Sequence, residues 1–235
     1  MLNFAETIRA HRHAEWFYFP GSDLIQVKKM NMVAPVKQPQ FEKTLDMAKM
    51  QLLENGAFLI VSELCKRRPS LSGMVSRLSS KLVSDSNRTN ISYEVFASPR
   101  NVKFIETEYA VPLEQFTACM EEVDAMFQRK LFDVHFPIEC RTTAGEGGYL
   151  SPTQGEASAF IAFHMYKGMD ESSYFHWVHE MMKKYNGRPH WGKVNRYEKS
   201  NIDYFYPNAQ QFNTIRKEQD PKNIFLTSYF KRIFG

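Results

Sequence analysis

The residues best suited to chemistry fall in two short stretches. In Phe136-Pro137-Ile138-Glu139-Cys140-Arg141, a strand conformation puts Glu139 and Arg141 on one face and Ile138 and Cys140 on the other, because side chains two apart share a face. A carboxylate beside a guanidinium makes a dipolar site. The acid accepts a hydrogen bond from a hydroxyl, and the arginine holds an electron-rich oxygen through two parallel N–H groups. The same two residues also suit a cross-strand ion pair on a solvated face, and such pairs outnumber functional ones. Spacing alone favours the ion pair. The second stretch, Gly187-Arg188-Pro189-His190-Trp191-Gly192-Lys193, gathers two cations, an imidazole and an indole within seven residues. Loops this dense in functional side chains serve sites, since holding them costs backbone freedom. A lysine there can set positive charge against a developing anion. The plainer alternative is a tight turn with Trp191 plugging a core and Lys193 in solvent.

Other chemistry-bearing residues say less. His164 alternates with Ala162 and Tyr166 on an expected strand, where a single histidine is usually a hydrogen-bonded structural residue. His176 and His179 sit three apart around Trp177 on an expected helix, but no third ligand has suitable spacing, so no metal site is expected. Cys65, Cys119 and Cys140 are odd in number and none lies in a CxxC spacing. That argues against a disulfide framework or a zinc site and fits a reducing cytoplasm. Motifs of the GxGxxG, Walker A or GxSxG type do not occur.

The elements that must hold these residues can be read from periodicity. Trp16–Phe19 and Ile25–Met30 are expected strands around a Pro20-Gly21 turn. Gln40 to about Cys65 fits a helix with one buried face, carrying Phe41, Leu45, Met47, Met50, Leu52 and Leu53. Pro69 opens a second helix with Leu71, Met74, Val75, Leu78 and Leu82 at helical spacing, and Ser84–Asn90 reads as a loop. Strands are expected at Ile91–Phe96 and Val102–Ala110, and a helix from Leu113 to Leu131 after Pro112. Phe136–Thr142 and Ala159–Tyr166 are the next strands, with a glycine-rich loop at Gly145–Gly148. Asp170-Glu171-Ser172-Ser173 supplies capping chemistry for a helix to Lys184, which Asn186-Gly187 stops. A last helix covers Asn208–Glu218 before Asp220-Pro221. Strand pairs around helices point to an α+β fold, an antiparallel sheet with helices packed on one face. The aromatic-rich tail, from Phe212 through Phe225, Tyr229 and Phe230 to Phe234, reads as a segment that packs into a core, with the owner of that core left open.

Composition excludes several classes. The 235 residues are 43% hydrophobic, 24% charged and 14% aromatic, which suits one large domain or two small ones and not a disordered or fibrous chain. No stretch reaches the roughly 18 apolar residues that span a bilayer, membrane association is not visible, and MLNFAETIRAHRHAEWF lacks a signal-peptide core. The net charge is +4 with scattered basic residues, so no nucleic-acid partner is expected.

Taken together, the motifs resemble a known family. FPIECR, Leu150-Ser151-Pro152, GRPHWGK, Tyr206-Pro207 and the series Phe212, Ile215-Arg216, Asp220-Pro221, Phe225, Tyr229 are similar to the sugar-lactone oxidases, as are Trp16–Pro20 and Glu108–Pro112. That group includes L-gulonolactone, D-arabinono-1,4-lactone and alditol oxidases within the vanillyl-alcohol-oxidase-type flavoproteins. The resemblance implies an FAD-dependent oxidoreductase that takes a hydride from a hydroxyl carbon of a sugar lactone or polyol to flavin N5. It implies that Glu139 and Arg141 engage the substrate, that Lys193 is catalytic beside flavin and substrate, and that His190 contacts both. His164 matches only some members, as a substrate-binding residue. It implies further that residues 1–185 form a substrate-binding, cap-like domain and residues 186–235 a C-terminal segment that packs on an FAD-binding domain. No flavin-binding glycine-rich segment precedes Trp16, so that domain is expected as a separate partner or upstream sequence, and self-association is expected without it. The alternative is a non-catalytic remnant that binds carbohydrate or protein. Presence of Glu139, Arg141, His190 and Lys193 together favours the oxidoreductase.

Overall fold

In the computed structural model the residues described are 4–34, 56–83, 85–97 and 101–234. The chain divides into two compact units. One comprises Met1–Ile105, Asp124–Glu139 and His164–Glu171, the other Glu106–Val123, Cys140–Phe163 and Ser172–Gly235. A six-stranded antiparallel sheet, in the order β2-β1-β4-β5-β3-β6, is built from β1 (His13–Tyr18), β2 (Ile25–Met30), β3 (Phe104–Pro112), β4 (Ile138–Thr143), β5 (Ser158–Tyr166) and β6 (Arg188–Pro189). With its helices it makes an α+β fold.

In the first unit, helix α1 (Phe4–Ala10) leads into the β1–β2 hairpin, whose register pairs His13 with Met30 and Tyr18 with Ile25. The turn closes where the Ser22 N–H donates to the Phe19 carbonyl at 2.9 Å, with Gly21 at φ +71°. A side chain would be strained there, which is why the Pro-Gly pair marks the turn. Helices α2 (Ala57–Arg67) and α3 (Ser72–Leu82) follow, joined by a 3-10 turn at Pro69–Leu71. The expected helix over Gln40–Cys65 is present from Ala57; its apolar positions Phe41 to Leu53 lie outside the described residues. Helical spacing predicts α3, but the buried side is not the leucine side. Ser72, Val75, Ser76 and Ser80 are buried, while Met74, Leu78 and Leu82 are exposed. Two buried serine hydroxyls find side-chain partners: Ser80 and Ser22 share a 2.7 Å hydrogen bond, and on α2 Ser62 bonds the buried His135 at 2.9 Å.

The expected strand Ile91–Phe96 is instead helix α4 (Ser92–Phe96). The Asn90 side chain accepts from the Ile91 N–H, and the Ile91 carbonyl then accepts from Glu94 and Val95, closing a helical turn. These local hydrogen bonds prevail over β propensity in this short segment. Near the end of this unit, Phe104 and Phe136 flank His164 with ring centroids 5.0 and 6.1 Å away, and Phe58 of α2 meets Phe136 edge-on.

In the second unit β3 alternates strictly. Thr107, Tyr109 and Val111 take one face, and Glu106, Glu108 and Ala110 the other. Helices α5 (Phe116–Gln128) and α6 (Ser172–Lys184) cover the first of these faces. Cys140 of β4 points its sulfur at Met120 of α5, and Phe163 of β5 meets Tyr174 of α6 edge-on. The Tyr109 hydroxyl and His179 Nδ1 of α6 are 3.0 Å apart in the core. Desolvation pushes the Tyr109 hydroxyl pKa upward and holds His179 down at about 4. Helix α6 ends at Asn186, which takes a positive φ of 54°, and the Gly187 N–H then donates back to the Met182 carbonyl at 2.7 Å. A side chain at Gly187 would come within 2.9 Å of that carbonyl oxygen, so the approach requires glycine.

The C-terminal part adds α7 (Lys199–Phe205), α8 (Ala209–Gln219) and α9 (Ser228–Phe234). The tail's core lies partly in its own unit. Ile233 and Phe234 are buried, and the Phe234 ring lies near those of Trp191 and Phe212, whereas Ile224 and Phe225 are exposed. Among the described residues no helix is long and apolar enough to cross a membrane.

Candidate functional site

The segment after α6 runs along the outer edge of β3, and that course brings the GRPHWGK residues to a site. Arg188 and Pro189 pair with Ala110 and Tyr109. Beyond the strand, the His190 N–H donates to the Glu108 carbonyl at 2.9 Å and the Val194 N–H to the Glu106 carbonyl at 3.0 Å. Between these two anchors the chain bulges, with the Lys193 N–H closing a turn on the His190 carbonyl at 3.0 Å. Anchored backbone at both ends of a short bulge gives its side chains little positional freedom.

Each residue of the motif has a distinct place. Arg188 is a clamp: Nε donates to the Phe205 carbonyl at 2.8 Å and Nη1 to the Gln154 carbonyl at 2.7 Å, with the guanidinium 5.6 Å from the Tyr206 ring centroid. Trp191 packs against Tyr206, and its indole N–H donates to the Leu150 carbonyl at 2.7 Å, so it ties the β4–β5 loop, where Leu150-Ser151-Pro152 lies, to this motif. The Gly192 N–H donates to His190 Nδ1 at 3.1 Å. That nitrogen is therefore an acceptor, and the ring proton of a neutral His190 sits on Nε2. The Lys193 ammonium forms an ion pair with Glu106.

Glu106 and Glu108 were not singled out as a pair by sequence reasoning, and they organise this face. Arg141 of β4 donates from Nη2 to Glu108 Oε1 at 2.8 Å. The two ion pairs share an asymmetry. The Glu108 side chain is 2% exposed against 46% for Arg141, and Glu106 is 11% exposed against 31% for Lys193. Both carboxylates are enclosed and both cations face outward. A buried charge requires such a partner, because desolvation without one is costly. The signal available in sequence was the alternation Ile105-Glu106-Thr107-Glu108-Tyr109, which sets two acids on one face of a strand whose other face is apolar or hydroxylated.

The sequence-predicted residues thus divide. Arg141, His190 and Lys193 lie in the second unit, gathered around the Glu106–Glu108 stretch of β3. Glu139 and His164 belong to the first unit. Glu139 is a buried residue of β4, two positions before Arg141 and on the same face of that strand. His164 is buried on β5 between aromatic rings, with Nδ1 3.2 Å from the Pro137 carbonyl oxygen.

An arrangement of outward-facing cations above enclosed carboxylates suits a ligand with electron-rich oxygens. Known proteins resemble this chain over much of its length. L-gulono-1,4-lactone dehydrogenase of Mycobacterium tuberculosis is 32% identical over 232 residues, covering 98% of this chain and 53% of its own. Mouse L-gulonolactone oxidase is 30% identical over 173 residues, covering 71% of this chain and 39% of its own. Alditol oxidase of a Streptomyces species is 23% identical over 139 residues, 57% of this chain and 32% of its own. The chain therefore spans about half the length of the mycobacterial relative. The pattern of the D-arabinono-1,4-lactone oxidase family matches residues 1–233, and this chain belongs to that family of oxidoreductases.

Proposed function

We propose that this chain is the substrate-binding and C-terminal part of an FAD-dependent oxidoreductase that oxidises a hydroxyl of a sugar lactone or polyol. The observation that carries the reading is the pair of outward-facing cations, Arg141 and Lys193, each held by an enclosed carboxylate of β3. Hydroxyls and ring oxygens of a lactone are acceptors for such donors, and the alkoxide character that develops on the oxygen as the hydroxyl gives up its proton is stabilised by fixed positive charge. Glu139 accepts a hydrogen bond from a substrate hydroxyl, Arg141 grips an oxygen through its planar fork, and His164 and His190 complete the substrate contacts. Lys193 sets its ammonium against the anion that forms.

The residues fit a flavin. The donor set combines a lysine ammonium with an imidazole whose Nδ1 is already engaged by the Gly192 N–H, leaving a defined tautomer toward an electron-rich ring edge. His190 and Lys193 would stand beside the flavin, most of which a further domain would bind; when bound, the flavin supplies the two-electron acceptor. The test is co-expression of this chain with the portion of the mycobacterial relative that it does not match. The purified assembly would be examined for flavin absorbance and assayed with L-gulono-1,4-lactone, D-arabinono-1,4-lactone and an alditol against a dye acceptor. Lactone- or alditol-dependent dye reduction is expected. A flavin-loaded assembly with no turnover on any of the three would overturn the reading in favour of a binding module.

A further inference from the structure

Lys193 and Arg141 are the cations of the proposed site, and each ends on a carboxylate of β3 that has no chemistry assigned to it. We infer that Glu106 and Glu108 are positioning residues, which aim Lys193 and Arg141 at substrate oxygens, and that Ala162 is the clearance that makes the Arg141 half of this device possible. The inference rests on the reading just given.

The sheet order is what makes the Arg141–Glu108 pair informative. Strands β4 and β3 are not neighbours, because β5 runs between them. Two strand spacings separate their backbones by about 9.6 Å, so Arg141 reaches over β5 to bring Nη2 within 2.8 Å of Glu108. The β3–β5 register follows from two bonds at its ends: the Leu113 N–H donates to the Ala157 carbonyl, and the Lys167 N–H to the Lys103 carbonyl. Counting inward from either bond sets Ala162 opposite Glu108, and directly opposed residues share a face. The methyl group of Ala162 therefore stands beside Glu108, on the side from which the Arg141 guanidinium arrives. Its neighbours two residues away on that face are Phe160 and His164, either of which would fill that side.

The burial asymmetry says which partner serves which. An ion pair that serves only a solvated surface exposes both members; here the acids are enclosed and the cations are presented. An arginine held by an enclosed carboxylate keeps a fixed orientation of its planar guanidinium, and a lysine, otherwise a flexible four-carbon stem, is fixed in direction by its carboxylate. The backbone supports the same geometry, since the carbonyls of Glu106 and Glu108 anchor the two ends of the Lys193 bulge. One stretch of β3 thus sets both the path of the motif and the aim of its cations.

The test uses two readouts. In the chain alone, side-chain 15N resonances of Arg141, assigned through Arg141→Lys, should show hindered rotation of the guanidinium; Glu108→Leu and Ala162→Leu should both release it, while Glu108→Gln, which keeps the acceptor oxygen, should retain it. In the co-expressed assembly, Glu108→Leu and Ala162→Leu should raise KM about tenfold or more with kcat little changed, Glu108→Gln should recover most of that loss, and Glu106→Leu should lower kcat instead. Melting curves confirm that each variant is folded, and the Gln variant carries the test if a Leu variant is not. Unchanged Arg141 resonances in Glu108→Leu, or an active assembly whose Glu108→Leu variant keeps its KM, overturns the positioning role. Unchanged resonances in Ala162→Leu overturn the clearance. A flavin-loaded wild type without turnover overturns instead the function on which the role rests, so the two failures are distinguishable.

Discussion

The two faces of strand β3 are built from alternate residues of one short sequence and do opposite things. On one face Tyr109 lies in the core beneath α6, bonded to His179 and with its ring tilted against that of Tyr197, with all three groups neutral at ordinary pH. On the other, Glu106 and Glu108 are charged partners of Lys193 and Arg141. The buried face excludes charge by desolvation, moving the tyrosine hydroxyls up and the histidine down. The open face instead keeps charge by pairing it. A strand can therefore carry its stability on one set of residues and its chemistry on the set between them, and substitutions on the two faces should separate stability from activity.

The largest effect is expected from the charged face. In the co-expressed assembly, Lys193→Ala should lower turnover about a hundredfold, equivalent to about 2.7 kcal/mol of transition-state stabilisation, with a smaller loss of melting temperature than Arg141→Ala, since Glu106 is less enclosed than Glu108. Arg141→Lys keeps the charge and loses the planar fork, and should lower kcat/KM by a similar factor. Arg141→Ala is the poorer choice, because it leaves the enclosed Glu108 carboxylate without its guanidinium and should lower stability as well as activity. Normal turnover by folded Lys193→Ala would show that the two faces do not divide the work in this way.

The neutral face should betray itself through pH. His179 and, in the first unit, His135 are both held at about 4, below the ordinary 6.5; desolvation is the main cause, with the Lys183 charge adding to it at His179 and Glu180 opposing. Below pH 6.5 the unfolded chain takes up these protons and the folded chain does not, so acid favours unfolding. Stability should be flat above about pH 6.5, fall by up to about 1.4 kcal/mol per pH unit for each histidine down to about pH 4, and level off below it. Urea unfolding at a series of pH values checks this, and His179→Gln with His135→Gln should flatten the slope. A slope that survives both substitutions would place the acid sensitivity on groups other than these two histidines.

Much of this was legible in the sequence, and the losses have physical causes. Period-two alternation was enough to read β3, β4 and β5 and to place Glu139 and Arg141 on one face. Capping at Ser172 and the Asn186-Gly187 stop were enough for α6. Ile91–Phe96 failed because local backbone bonds to the Ile91 carbonyl outweighed apolar composition. Helix α3 was right in period and wrong in face, since spacing reports amphipathicity and not which side is covered; its serines are buried against Ser22 and their own helix. Glu106 and Glu108 were missed as a pair because an acid on a strand has no visible role until its cation is known, and Arg141 and Lys193 arrive from 33 and 87 residues away.

The thiols give the smallest effect and the finest probe of the comparison. Cys140 alternates with Glu139 and Arg141 on β4 but points to the covered side, its sulfur 3.8 Å from Met120. Cys119 lies on α5, where burial pushes its pKa up to about 12, and Cys65 on α2 is also raised by burial. Thiolate is the reactive species, so a raised pKa and lost access both slow modification. Native chain treated with a disulfide reagent at pH 8 should react many times more slowly than the same chain in urea, where all three thiols should be titrated. Because Cys140 sits one residue from Arg141, its rate also reports whether a change on the charged face reaches through the sheet. If the faces are independent, Glu108→Gln should leave that rate as it is. A marked acceleration would mean that the ion pair holds the strand in place as well as the guanidinium, and the separation of stability from chemistry along β3 would have to be withdrawn.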